Sequence, residues 1–156
     1  MNAEDFPGPA RRRSGAPQAE LLVSLPPELR DAIVSHCLAA LPDEGCGLLL
    51  GRREGAAAKI IEAPTARNSR ASPDRYEIEP ESVLAADQHA RASGLLLLGA
   101  WHSHPDGAPV PSATDRAEAW PDWCYLIVGL TDPAHPQLRA WRLLGEDFVE
   151  DTLEIE

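Results

Sequence analysis

The 156-residue chain has no apolar run of the ~18–20 residues that a membrane-crossing helix needs. Its first twenty residues, MNAEDFPGPARRRSGAPQAE, lack the apolar centre of a secretory leader, so the cytoplasm is the expected location. Basic residues are scarce: 14 Lys and Arg stand against 25 Asp and Glu, a formal net charge of −11. Phosphate backbones are gripped by basic faces, so neither a nucleic acid nor a membrane is an expected partner. The one basic cluster, Arg11-Arg12-Arg13, lies in a Pro- and Gly-rich stretch, and residues 1–19 read as a disordered arm. Cysteine is scarce too. Cys37, Cys46 and Cys124 are odd in number and far apart, which argues against a disulfide framework and against a Cys-x-x-Cys zinc knuckle. They read as small buried apolar residues.

What is present suffices for one domain with a single core, over residues 20–156. Leu21 to Leu25 reads as a strand, and Pro26-Pro27 opens a helix whose apolar stripe is Leu29, Ile33, Cys37 and Leu41, with His36 off it and solvated. Glu44 to Gly51, Lys59 to Ala63 and Tyr76 to Ile78 read as strands, with a loop from Pro64 to Arg75. Glu81 to Ser93 is a helix stopped by Gly94. Tyr125 to Leu130 and Leu138 to Leu143 form an antiparallel hairpin turned at Thr131-Asp132-Pro133, and Phe148 to Ile155 closes the sheet. The fold class is α/β in the loose sense, a mixed and mostly antiparallel sheet flanked by helices.

The chemistry concentrates in Trp101-His102-Ser103-His104-Pro105 and Ser112-Ala113-Thr114-Asp115. Leu95 to Ala100 reads as a buried strand. If it continues through the histidines, its period of two puts His102 and His104 on one face. Two imidazoles and a nearby carboxylate are three zinc ligands, a set that leaves the fourth tetrahedral position for water, as catalytic sites do. Ser112 with Asp115 also fits a helix capping box, and a helix starting there would carry Asp115 on its first turn, towards the strand end. Hydrolysis at such a centre needs a carboxylate base and an oxyanion donor. Ser112 can supply the donor. Glu44, at the head of an otherwise buried strand, either ends in solvent or is that base, and Gly45 and Gly47 permit close approach of a backbone or a ligand.

Glu44, then His102-x-His104, seven residues, Ser112, two residues and Asp115, resembles the JAMM (MPN+, Mov34/PAD-1-like) metalloprotease motif at every position. The resemblance spans roughly residues 20–156. It includes the Glu-x-Cys-Gly-Leu-Leu strand, the Pro64–Asn68 segment, Tyr76 with Pro80, and the His-Ser-His-Pro box. It implies an MPN/JAB1, cytidine-deaminase-like architecture and one zinc ion held by His102, His104 and Asp115 with water as the fourth ligand. It further implies Glu44 as general base and Ser112 as the oxyanion-stabilising hydroxyl. Ser103 would face away as support, and Asn68 would lie near the cleft. The short bacterial branch is similar to enzymes that process ubiquitin-like sulfur carriers, which implies as partner a carrier ending in Gly-Gly. Only 57 residues separate Glu44 from His102, which leaves no room for the large insertions of eukaryotic deubiquitinases.

Two other readings compete. One is a non-catalytic MPN scaffold that binds partners without metal. The other makes Cys46 a nucleophile, but a thiol in an apolar strand two residues from a carboxylate has a raised pKa, so packing is expected. Trp101, Trp120, Trp123 and Trp141 are expected in the core, with His89 and His135 solvated.

Overall fold

The computed structural model describes residues 20–156, and the arm expected over 1–19 lies outside them. The elements are β1 (Leu22–Leu25), α1 (Pro27–Ala40), β2 (Cys46–Glu54), β3 (Ala57–Glu62), β4 (Thr65–Ala66), α2 (Pro80–Ala92), β5 (Leu96–His104), α3 (Ala113–Glu118), β6 (Cys124–Gly129), β7 (Gln137–Leu144) and β8 (Asp147–Ile155). The sheet runs β3-β1-β8-β7-β6-β5-β2-β4, and β3 pairs with β2 as well, so the sheet closes on itself. Pairings of β1 with β3, β1 with β8 and β5 with β6 are parallel; the rest are antiparallel. The expected mixed, mostly antiparallel architecture is what forms. The segment from Tyr76 to Ile78 departs from expectation: only an isolated bridge between Asn68 and Ile78 joins it to a neighbour. A short strand forms instead inside the stretch read as loop, where β4 pairs with β2.

Strand alternation sorts the core onto two faces. Leu49 and Trp101 point to one side, where Ile33, Val34 and Cys37 of α1 cover them together with Leu126 and Val128. Leu48, Leu50 and Ala100 point to the other, under Val83 and Ala90 of α2 and beside Trp123 and Tyr125. Leu41, included in the apolar stripe of α1, falls just past its end and is exposed. His36 is half-buried, edge-on to Trp101 at 5.4 Å between centroids, because Trp101 packs under α1. Trp120 and Trp141 pack against the second cluster, as expected. His89 and His135 are exposed, on Glu62 and Asp132 at 2.8 Å each.

A buried ion pair ties the closing strand in place. Arg142 Nε and Nη2 reach Asp151 Oδ2 and Oδ1 at 2.5 and 2.8 Å, and Leu21 N donates to the same Oδ1 at 2.9 Å. Removing one partner of such a pair leaves the other charge buried without its counter-ion. Asp151→Ala should therefore cost about 3–5 kcal/mol of stability, read from urea unfolding. A loss under about 1 kcal/mol would show the pair to be inessential.

Candidate metal centre

The site sits where β2 enters the sheet and β5 leaves it. Cys46 lies opposite His102 in the antiparallel β2–β5 ladder. The register continues one step further, since Ser103 N donates to the Gly45 carbonyl at 3.0 Å and Gly45 N donates to Ser103 Oγ at 2.9 Å. Glu44 is thereby set beside His104. Ser103 faces away from the site, as its position in the strand demands, and Trp101 lies fully buried on the same side.

Trp101 also explains one glycine. A Cβ at Gly47 would stand 2.3 Å from the Trp101 ring and from the Pro64 carbonyl, so the residue is small to admit the protein's own core. Gly45 likewise faces Cys37 and His36. The close approach that these glycines allow is made by backbone and side-chain atoms of the fold, the Pro64 carbonyl and the Trp101 ring at Gly47 and the Cys37 Cα and His36 ring at Gly45. Cys46 is buried with its thiol 3.6 Å from the Ala66 carbonyl, and burial, then Glu44, pushes it up to about 12, which suits packing and not nucleophilic work.

After His104 the chain turns back through a braced loop. Ala108 presents its carbonyl to His104 Nδ1 at 2.9 Å, and Trp141 Nε1 donates to the Pro109 carbonyl at 2.9 Å. This delivers Ser112 as N-cap of α3 with both halves of the capping box formed: Asp115 N donates to Ser112 Oγ at 3.0 Å, and Ser112 N to Asp115 Oδ2 at 2.9 Å. The expected capping box is formed, and the same carboxylate also meets the histidines. Its Oδ1 lies 3.2 Å from His102 Nε2 and its Oδ2 3.0 Å from His104 Nε2, and the two Nε2 atoms are 3.2 Å apart. Two ligands bound at ~2.0–2.1 Å in a tetrahedron stand roughly 3.3–3.4 Å from each other. The two Nε2 atoms stand near that separation, with a different Asp115 oxygen beside each, so the three side chains form a donor set compatible with one ion. Glu44 Oε1 is 4.0 Å from His104 Nε2, and one donor atom each from Glu44, His102 and His104 lie within 4.8 Å of one another, a second set that can hold a metal ion.

Burial and charge tune these groups in opposite directions. Burial, opposed by His104, pushes Glu44 up to about 8. Asp115 is held well below the carboxylate range: burial would raise it, but hydrogen bonds from both histidines outweigh that. Burial lowers His102 despite Asp115, whereas at His104 the hydrogen bonds to Asp115 and Ala108 overcome burial and raise it. Glu44 Oε2 and His102 Nδ1 are buried with no hydrogen-bond partner among the described residues. Such orphaned atoms are costly in a merely structural cluster and fit a centre that receives a further charge or ligand.

The raised Glu44 makes the stability of the metal-free protein depend on pH. The folded state keeps a proton that the unfolded chain releases near 4.5, so this contribution to stability is complete below about 4.5 and lost as pH rises through about 8. Glu44→Gln should flatten that part of the profile, measured by thermal unfolding in chelator across this window. An undiminished decline in the variant would assign it elsewhere.

Two residues marked by the family resemblance and not by periodicity join the site. Tyr76 stacks on the His102 ring, with centroids 4.3 Å apart and planes 20° apart. Asn68, expected near the cleft, donates from Nδ2 to the Glu44 carbonyl at 3.0 Å. No periodicity marks either role, since both depend on contacts between segments distant in sequence.

Comparison with known proteins places the chain in a family. Residues 26–144 match the model of prokaryotic homologs of the JAB domain. A desampylase of Haloferax volcanii is 34% identical over 140 residues, covering 86% of this chain and 96% of that protein. A probable TtuB-protein conjugate cleaving protease of Thermus thermophilus is 35% identical over 109 residues, 70% of this chain and 71% of that one. The solution structure of a protein from Desulfitobacterium hafniense superposes with a TM-score of 0.80 at 30% identity, covering 86% of this chain and 92% of its own.

Proposed function

The chain belongs to the family of prokaryotic homologs of the JAB domain, and from that premise we propose that it is a zinc metallopeptidase. Its reaction is hydrolysis of the peptide or isopeptide bond that follows the C-terminal Gly-Gly of a ubiquitin-like or sulfur-carrier protein. The observation that carries this reading is the convergence of His102, His104 and Asp115 at 3.0–3.2 Å beside a buried Glu44. A desampylase and a TtuB-protein conjugate cleaving protease among the relatives support the substrate class.

His102 Nε2, His104 Nε2 and the Asp115 carboxylate would hold the ion. When bound, zinc supplies a Lewis acid that makes water nucleophilic at neutral pH. The remaining work falls to the chain. Glu44, whose carboxylate form a cation bound beside it would favour, takes the proton from the attacking water and returns it to the leaving amine nitrogen. Ser112 Oγ accepts from Asp115 N, which fixes the oxygen while its O–H stays able to donate to the developing oxyanion. Asp115 thus sets both the ligand face and the oxyanion donor through one capping box.

The test uses a carrier protein fused through its Gly-Gly end to a reporter, beside the same fusion with Gly-Gly deleted. Cleavage of the first, abolished by chelator and restored by zinc, is expected. Equal cleavage of the second would overturn the substrate class. No cleavage and no bound metal would make the chain a scaffold of the same fold.

A further inference from the structure

The two histidines of the site are held in different ways. A ligating imidazole ordinarily presents its second nitrogen to a carbonyl or carboxylate, which fixes the ring plane and the tautomer. His104 does so, with Nδ1 2.9 Å from the Ala108 carbonyl. His102 does not: its Nδ1 is buried without a hydrogen-bond partner among the described residues. What lies against its ring instead is the flat face of Tyr76, near-parallel at 4.3 Å.

Tyr76 comes from a segment with no strand ladder of its own, so something else must hold it. That is Asn68. Its Nδ2 donates to the carbonyls of Glu44 and Arg75 at 3.0 and 3.4 Å, and its Oδ1 accepts from Arg70 N and Glu77 N, both at 3.1 Å. A side-chain amide has two donor and two acceptor positions, and all four are engaged. The residues on either side of Tyr76, Arg75 and Glu77, are both bound by this one side chain. So is Glu44, the proposed base. A backbone bridge from Asn68 to Ile78 and a bond from Ser69 Oγ to the Glu77 carbonyl at 3.0 Å complete the brace.

We propose that Tyr76 is a positioning residue for the metal centre, its stacked ring doing for His102 what the Ala108 carbonyl does for His104, and that Asn68 clamps Tyr76 and the Glu44 backbone into one unit. The inference rests on the reading of His102 as a metal ligand. It makes the plane of the ring, and not the phenolic hydroxyl, the feature that matters. A flat ring restricts rotation of the imidazole about its Cβ–Cγ bond without needing a proton from Nδ1, and a flexible aliphatic side chain of similar bulk does not.

The experiment is zinc titration of the full chain in competition with a chromophoric chelator, run on wild type, Tyr76→Phe and Tyr76→Leu, with thermal unfolding of the metal-free forms alongside. Tyr76→Leu should bind zinc roughly 10- to 100-fold more weakly, and Tyr76→Phe close to wild type. Wild-type affinity in a folded Tyr76→Leu variant would overturn the proposal while leaving the metal site standing. Equal weakening in both variants would also overturn it, by assigning the role to the hydroxyl. Should Tyr76→Leu not fold, Asn68→Ser decides: weakened zinc binding supports the clamp and unchanged binding overturns it. A wild type that binds no zinc would overturn the underlying reading of the site, and this inference with it.

Discussion

Glu44→Gln is expected to reduce cleavage by roughly 10²–10⁴-fold, the usual contribution of a general acid–base, with about one zinc per chain retained. The substitution removes the proton carrier and changes little else. Glutamine has the same shape, and the bonds that place residue 44 run through its backbone: Glu44 N donates to the Ser72 carbonyl at 2.9 Å, and the Glu44 carbonyl accepts from Asn68. The neutral amide also relieves a buried carboxyl of its desolvation cost, so the variant should fold at least as well as wild type near neutral pH. Activity and stability should therefore move in opposite directions, a pattern typical of functional sites and not of structural ones. Full hydrolysis by a zinc-loaded Glu44→Gln variant would exclude Glu44 as the base. Loss of the zinc along with the activity would instead make Glu44 a ligand, in keeping with the second donor set formed by Glu44, His102 and His104.

Much of this arrangement was legible in the residues, and the reasons differ from one element to the next. The histidines could be placed on one face because strand periodicity is local: β5 needs only Leu96 to His104 to specify which residues point together. The Ser112–Asp115 box was legible for the same reason, since a cap is decided within four residues. Glu44 was harder. Its position beside His104 follows from the register of β2 on β5, which a chain pattern does not encode, and here resemblance to the JAMM motif supplied what periodicity could not. Tyr76 to Ile78 failed as a strand because its alternation is real but its hydrogen bonds are not made to a neighbouring strand. Asn68 and Ser69 meet it instead, through backbone and side chain both. His36 was read as solvated because it lies off the stripe of α1, yet the Trp101 ring reaches far enough to cover it.

Asp115 carries the sharpest test of the ligand assignment, because two roles meet on one carboxylate and two substitutions separate them. Asp115→Ala removes a ligand and one half of the capping box, so zinc content should fall towards zero and α3 should lose stability by about 1 kcal/mol. Asp115→Asn keeps a side-chain oxygen able to accept from Ser112 N, and so keeps the helix start. What it loses is the negative charge that both imidazoles face at 3.0–3.2 Å. A divalent cation is poorly matched by a neutral amide, so zinc content should fall in this variant too, while the part of the metal-free stability that the helix cap supplies is kept. Elemental analysis of the three proteins, with thermal melts in chelator, reads both quantities. If Asp115→Asn retains about one zinc and Asp115→Ala loses it together with stability, the carboxylate is only a cap. If both retain the metal, the ion is held by Glu44 with the two histidines, and the proton shuttle must be sought at another residue. Loss in both, with the larger stability cost in Asp115→Ala, leaves Asp115 as ligand and Glu44 as base. That is the only one of these outcomes under which the capping box, the histidine face and the buried Glu44 act as a single catalytic unit.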